Sequence, residues 1–206
     1  MRIATSKTIE ENYKSSFMSC EKDQETIWKK LFIDTKDYSN KLKKLLVINS
    51  PHCLDPEHEE FNEEIKKYDL RKLREGQYIK VVPKLMFSDH ENVKSYILLE
   101  FDNFIPTDNP QYRDCLISFS IICHLDSWEL DDYKLRPIQI ASYIDGIMNE
   151  AHLSGIGKLE FIGAKQVILN EFLGGIVLQY RAPHSDADDV EKVNNAIPAY
   201  TQTTNL

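Results

Sequence analysis

Long apolar runs are missing from this sequence. Nowhere do eighteen or more apolar residues follow one another, so no membrane-spanning helix is expected. The opening "MRIATSKTIEENYK" has no apolar run behind its basic residue, so the expectation is a chain without a secretory signal, made in a cytosol. Cysteine is scarce. Cys20, Cys53, Cys115 and Cys123 are widely and unevenly spaced, which fits neither paired zinc knuckles nor a CxxC redox pair, and free thiols are expected. Glycine is scarce too. "EFLGGIVLQY" and "GIGKLEFIG" come nearest to a phosphate loop, yet both lead into or lie within strands, whereas a phosphate cradle opens onto a helix N-terminus with a lysine. Positive charge is in deficit, with 25 Lys and Arg against 33 Asp and Glu, so a sequence-independent grip on nucleic-acid phosphates is disfavoured. In contrast, hydrophobic residues make up 42% of the 206, enough for one compact domain with an extension.

The first quarter reads as helical. In "DQETIWKKLFID", Ile27, Trp28, Leu31 and Phe32 form an apolar stripe, with Asp23 as the expected N-cap. "YSNKLKKLLVINS" repeats the spacing with Leu42, Leu45 and Leu46 before Pro51. "DPEHEEFNEEIKKYDLRKLREGQ" is expected to be one helix entered at Asp55 and Pro56, acidic first and basic last, stopped by Gly76.

After Gly76 the pattern changes to strands. "YIKVVPKLMF" and "SYILLEFDNF" are expected to pair antiparallel across the polar "SDHENVK", with Pro83 placing the first at an edge or a bulge. In "CLISFSIICHLD", Ile117, Phe119, Ile121 and Cys123 alternate with Leu116, Ser118, Ser120 and Ile122, giving one apolar face and one mixed. Pro137 suits a first helical turn, and Ile140, Ile144, Ile147, Met148 and Ala151 give that helix one apolar stripe, ended by Gly155 and Gly157. "KLEFIGAKQVIL" and "FLGGIVLQYRA" follow as a hairpin, with the two glycines marking a bulge or a close backbone approach. The fold class is therefore α+β: a mostly antiparallel sheet of about five strands with one helix on a face. A helical N-terminal extension (1–75) precedes the core (76–185), and a polar C-terminal arm (186–206) follows.

Candidate chemistry is thin. His52, Cys53, Asp55 and His58 in "PHCLDPEHEE" include zinc-type ligands but lack the second pair of a structural site, so no metal and no cofactor is expected. Cys123, His124, Asp126 and Ser127 are close in sequence. Neighbouring strand residues face opposite ways, however, so Cys123 and His124 do not pair, His124 is expected to face solvent, and no catalytic residue is assigned. The acidic runs "EHEEFNEE" and "DADD" lack a calcium-loop pattern and read as solvated faces.

From about Tyr78 to Asp189 the chain resembles the neck and tail-completion proteins of tailed bacteriophages, in particular tail-terminator and head-tail connector subunits. The resemblance rests on "CLISFSIICHLDSWELDDYKLRPIQIASYIDGIMNE", a strand leading into an "LRP" helix start, and on the following "LEFIGAKQVILNEFLGGIVLQYRA". It implies a virion structural protein rather than an enzyme, forming a hexameric or dodecameric ring in the particle neck. Its partners would be further copies, portal, connector and tail-tube proteins, with genomic DNA passing through without specific binding and no membrane involved. The helical first 75 residues exceed what a minimal tail terminator needs, and would dock on a portal or an adjacent ring. Interface residues expected from polarity and position are Asp126, Trp128, Glu129, Asp131 and Asp132 before the helix, and Ile197, Pro198 and Tyr200 on the arm. Trp128 has an alternative role as a cap on its own core. Other readings of the same sequence are a small enzyme with a pocket on this scaffold, or a host adaptor whose acidic helical half binds a basic partner.

Overall fold

The computed structural model describes residues 20–80, 92–106 and 112–185. Among the described residues, α1 (Cys20–Lys29) runs into a π-helical turn at Lys30–Asp34 and is followed by α2 (Lys36–Val47). The stripe is as expected: Ile27, Trp28, Leu31, Phe32, Leu42, Leu45 and Leu46 are all buried. Asp23 is not a cap. Cys20 is already helical, so Asp23 lies inside the helix, where it is buried. The expected single helix after Pro56 is two, α3 (Glu59–Ile65) and α4 (Leu70–Glu75). Asp69 explains the division, because its side chain accepts from the Lys72 N–H at 2.8 Å and so starts a new helix, which ends at Gly76. Asp55 instead closes a turn, accepting from the Glu57 N–H at 2.9 Å.

The sheet strands are β1 (Ile79–Lys80), β2 (Ser95–Pro106), β3 (Tyr112–His124), β6 (Glu160–Ile168) and β7 (Leu173–Ser185), in the order β1-β2-β3-β7-β6. Helix α5 (Arg136–Met148) lies between β3 and β6 in sequence, followed by a two-stranded ribbon, β4 (His152–Leu153) and β5 (Gly157–Lys158). Three of the four sheet pairings are antiparallel. The exception corrects the expected first hairpin: β1 runs parallel to β2, with Ile79 opposite Ile97 and Lys80 opposite Leu98. The rest of the "YIKVVPKLMF" run, with the edge or bulge expected at Pro83, lies outside the described residues. Gly155 and Gly157, expected to stop the helix, serve the β4–β5 ribbon instead. Both have φ near +80°, a turn conformation that side chains disfavour, while the helix has already ended at Met148.

One face of the sheet is apolar along its centre. Ile97, Leu99, Ile117, Phe119, Ile121, Cys123, Leu178 and Tyr180 pack in a single cluster with Ile140, Ile144 and Met148 of α5 and with Ile27, Leu31, Leu42 and Leu45 of the helical region. The helices and the sheet thus share one core, and each fully buried Ile or Leu in it contributes about 2 kcal/mol. Tyr180 fastens the two layers, its hydroxyl donating to Asp145 Oδ1 of α5 at 2.7 Å. On the opposite face, Tyr96, Leu98, Ile122 and Leu173 form a smaller cluster joined by Val167.

The glycines in β7 show why a close approach was expected. Gly175 lies against β3, where a Cβ would come within 1.7 Å of the Ile121 carbonyl oxygen. At Gly174 a Cβ would reach the Ile168 side chain at 2.8 Å and the Trp128 ring at 3.0 Å. Both glycines keep regular register with their neighbours, so they are contact positions rather than a bulge.

Candidate assembly surface

The loop between β3 and α5 carries five of the residues expected at an interface. It opens with a 3-10 turn, Leu125–Ser127, in which His124 Nδ1 accepts from the Asp126 N–H at 3.2 Å. That bond and the Phe172 ring, 6.1 Å away, keep His124 buried, which corrects the expected solvent-facing histidine. Trp128 is half-buried against the main core, lies over Gly174, and donates from Nε1 to the Cys123 carbonyl at 3.3 Å. Its ring therefore caps its own core. Asp131 is tied down by His52, whose Nδ1 lies 2.7 Å from Asp131 Oδ2. Asp126, Glu129 and Asp132 are exposed, the last beside Lys134 at 3.1 Å. Ile197, Pro198 and Tyr200 lie outside the described residues.

What holds this loop in place was missed in the sequence. Arg136 is completely buried, and its guanidinium reads four backbone carbonyls: Ser127 at 2.7 Å in the loop, and Leu45 at 2.7 Å, Ile48 at 2.7 Å and Ser50 at 2.9 Å around the end of α2. The last carbonyls of a helix lack internal partners and carry partial negative charge, so a guanidinium fork there satisfies both needs at once. Two backbone bonds add to the clamp, from Arg136 N–H to the Trp128 carbonyl at 2.7 Å and from Leu130 N–H to the Lys134 carbonyl at 2.9 Å. The loop is thereby part of the helical region as much as of the sheet. In the sequence, Arg136 reads as an ordinary charge at a helix start, and only the "LRP" position hints that it faces inward.

The thiols and imidazoles considered for chemistry are dispersed by the fold. Cys123 is buried among apolar residues, which pushes its thiol up to about 12 and leaves it protonated. Cys53 is buried beside Arg136, and burial raises its thiol as well, partly offset by the guanidinium. His52 and His58 stack at 6.0 Å on the surface, but each Nδ1 is engaged by a carboxylate, Asp131 and Glu60 respectively. Among the described residues no three His, Cys, Asp or Glu side chains converge as a metal would require.

An exposed apolar region lies elsewhere, at the sheet edge formed by β6. Seven of its nine residues are exposed, and Phe161, Ile162 and Ile168 are 43%, 55% and 60% exposed. The β6–β7 turn adds Leu169 and Phe172, also exposed, and is held by Asn170 Oδ1 accepting from the Phe172 and Leu173 N–H groups at 2.8 Å. Among the described residues the strand pairs with β7 on one side only, so its other side presents backbone groups without a strand partner there, next to apolar side chains. Such an edge is a template for another strand.

A protein-family model, YomW, matches residues 39–182, more than two thirds of the chain. The matched region takes in most of α2, both short helices and the whole sheet as far as Ala182. No curated protein matches the chain.

Proposed function

Because the chain belongs to the YomW family, which is phage-related, we propose that it is a structural protein of a phage particle, assembling into a ring at the head-tail junction. The ring joins portal or connector to tail and passes the genome through its centre, and the chain carries out no catalysis. The observation that carries this reading is the β6 edge, where exposed apolar side chains flank a strand that, among the described residues, is paired on one side only. A surface of that kind is stable in water when a neighbour covers it. The acidic balance of the chain, −8, supports a lumen that DNA passes without adhering. Asp126, Glu129 and Asp132, exposed on a loop that Arg136 holds rigid, supply a second, polar contact surface.

The test is native mass of the full chain at several concentrations, with negative-stain images of the same samples, alone and with purified portal and tail-tube proteins. Closed rings with an open centre are expected. A monomer under every one of these conditions refutes the reading. Substituting Tyr200→Ala is expected to weaken assembly without affecting folding, and unchanged assembly removes the arm from the interface.

A further inference from the structure

The β6 edge has a self-complementary pattern that names its occupant. Glu160 and Lys165 are its two charged residues, and both are exposed. Five positions apart, they would lie on opposite faces of a regular strand, because side chains alternate. They do not, because the register with β7 slips between Phe161 and Gly163: Glu160 faces Arg181 and Lys165 faces Val177, four residues apart on β7 and so on the same side of the sheet. Ile162 is the extra residue of the bulge. A bulge bends its strand and shifts the alternation of side chains, and here it sets the charge pattern.

We propose that β6 pairs antiparallel with β6 of a second copy of this chain, about a two-fold axis at Gly163. With Ile162 set aside as the bulge, that register places Gly163 opposite its counterpart, Phe161 opposite Ala164 and Glu160 opposite Lys165, each of the last two twice by symmetry. Gly163 leaves room for the crossing, since a Cβ there would meet nothing within 4 Å. Other same-face registers fare worse. Centring on Ala164 sets Lys165 against Gly163, and centring on Lys165 opposes two lysines, which is destabilising. The exposed Phe161 and Ile162 come to the middle of the pair, where apolar burial is greatest. An isologous pair uses one surface of each subunit, so ring closure falls to a different, heterologous contact such as the Asp126 to Asp132 loop. The inference deepens the assembly reading by naming the partner of this edge.

Charge reversal tests it in the full chain, by sedimentation over a concentration series. Glu160→Lys alone and Lys165→Glu alone each set like charges opposite one another at two places, and each is expected to weaken dimerisation about tenfold or more. The double reversal is expected to restore it to within about threefold. Gly163→Cys is expected to cross-link to itself under mild oxidation, while Lys165→Cys, about 13 Å from its counterpart at strand spacing, is not. Single reversals that leave association unchanged, a double reversal that does not rescue, or Gly163→Cys that links no faster than Lys165→Cys would overturn the pairing. So would cross-linking of Gly163→Cys to a different protein. Rings that form without this cross-link sink the pairing and leave the ring reading standing; a rescued, cross-linked pair that never enters a ring does the reverse.

Discussion

Replacing Arg136 with methionine probes the joint on which the exposed loop depends. The guanidinium donates to four backbone carbonyls at 2.7 to 2.9 Å, three of them at the end of α2. Methionine keeps much of the volume and removes every donor. Hydrogen bonds from a charged group are each worth about 1.5–3 kcal/mol, so the gross loss is on the order of 6–12 kcal/mol. Removing a buried charge returns several kcal/mol of desolvation cost, which brings the expected net destabilisation to about 3–5 kcal/mol. Buried ion pairs can be replaced by apolar groups with little loss when both partners are replaced. Here the partners are backbone carbonyls, which no substitution removes. Urea denaturation followed by circular dichroism measures the difference, and the melting point should fall by about 10 °C. Arg136→Lys, which keeps the charge but not the planar fork, is expected to recover only part of the loss. Amide exchange at the end of α2 and through residues 125–135 should accelerate together. A methionine variant within about 1 kcal/mol of the parent would refute the clamp.

The glycine pair gives a sharp contrast: Gly175→Ala is expected to cost more than about 3 kcal/mol or abolish folding, since its Cβ meets the Ile121 carbonyl, while Gly163→Ala changes stability by less than about 1 kcal/mol, both read by urea titration. Cys123 should resist alkylation in the folded protein at pH 8 and react on unfolding, as read by mass spectrometry of trapped peptides; rapid native labelling would contradict its burial. Burial first, and then the bond to Asp145, raise the Tyr180 phenol above its ordinary 10.0. The folded state therefore holds that proton more tightly than the unfolded chain. The associated stability is complete below pH about 10 and is lost as pH rises beyond it. Tyr180→Phe should flatten that alkaline decline in a pH series of melting points, and lower stability near neutrality by about 1–2 kcal/mol through the lost hydrogen bond.

How much of this was legible in the sequence follows from the range of the forces involved. The alternation in β3 and the stripe in α5 are local periodicities, and each predicts its element and its buried face, except that Ala151, expected on the stripe, lies beyond the helix end at Met148. The division of α3 from α4 was also written locally, in Asp69, but a strong run of helix-forming residues on both sides hid it. The parallel direction of β1 was not legible, because a two-residue strand has no pattern of its own and its direction depends on a connection. Arg136 was invisible for a different reason. Its partners Leu45, Ile48 and Ser50 are some ninety residues away and contribute carbonyls, which every residue possesses, so no residue type advertises the bond. The same holds for the β6 edge: composition shows apolar residues in a strand, but only strand order shows that, among the described residues, β6 is the outermost strand.

The clamp and the edge act at different places, and that separation bears on assembly. Arg136 consolidates the loop from Asp126 to Asp132 with α2, so that loop is presented as a rigid surface before any partner arrives, and little ordering cost is left for binding. Among the described residues strand β6 is paired with β7 alone, and its side chains are largely exposed. A mutation at Arg136 should thus impair folding and assembly together, whereas charge reversal at Glu160 or Lys165 should impair association alone. Measuring both quantities on both variants separates a subunit whose contact surfaces are built in from one whose surfaces form on docking. If Arg136→Met lowers stability yet leaves association at low temperature unchanged, the loop does not contribute to the contact, the sheet edge accounts for the pairing of two copies, and ring closure uses a surface other than this loop.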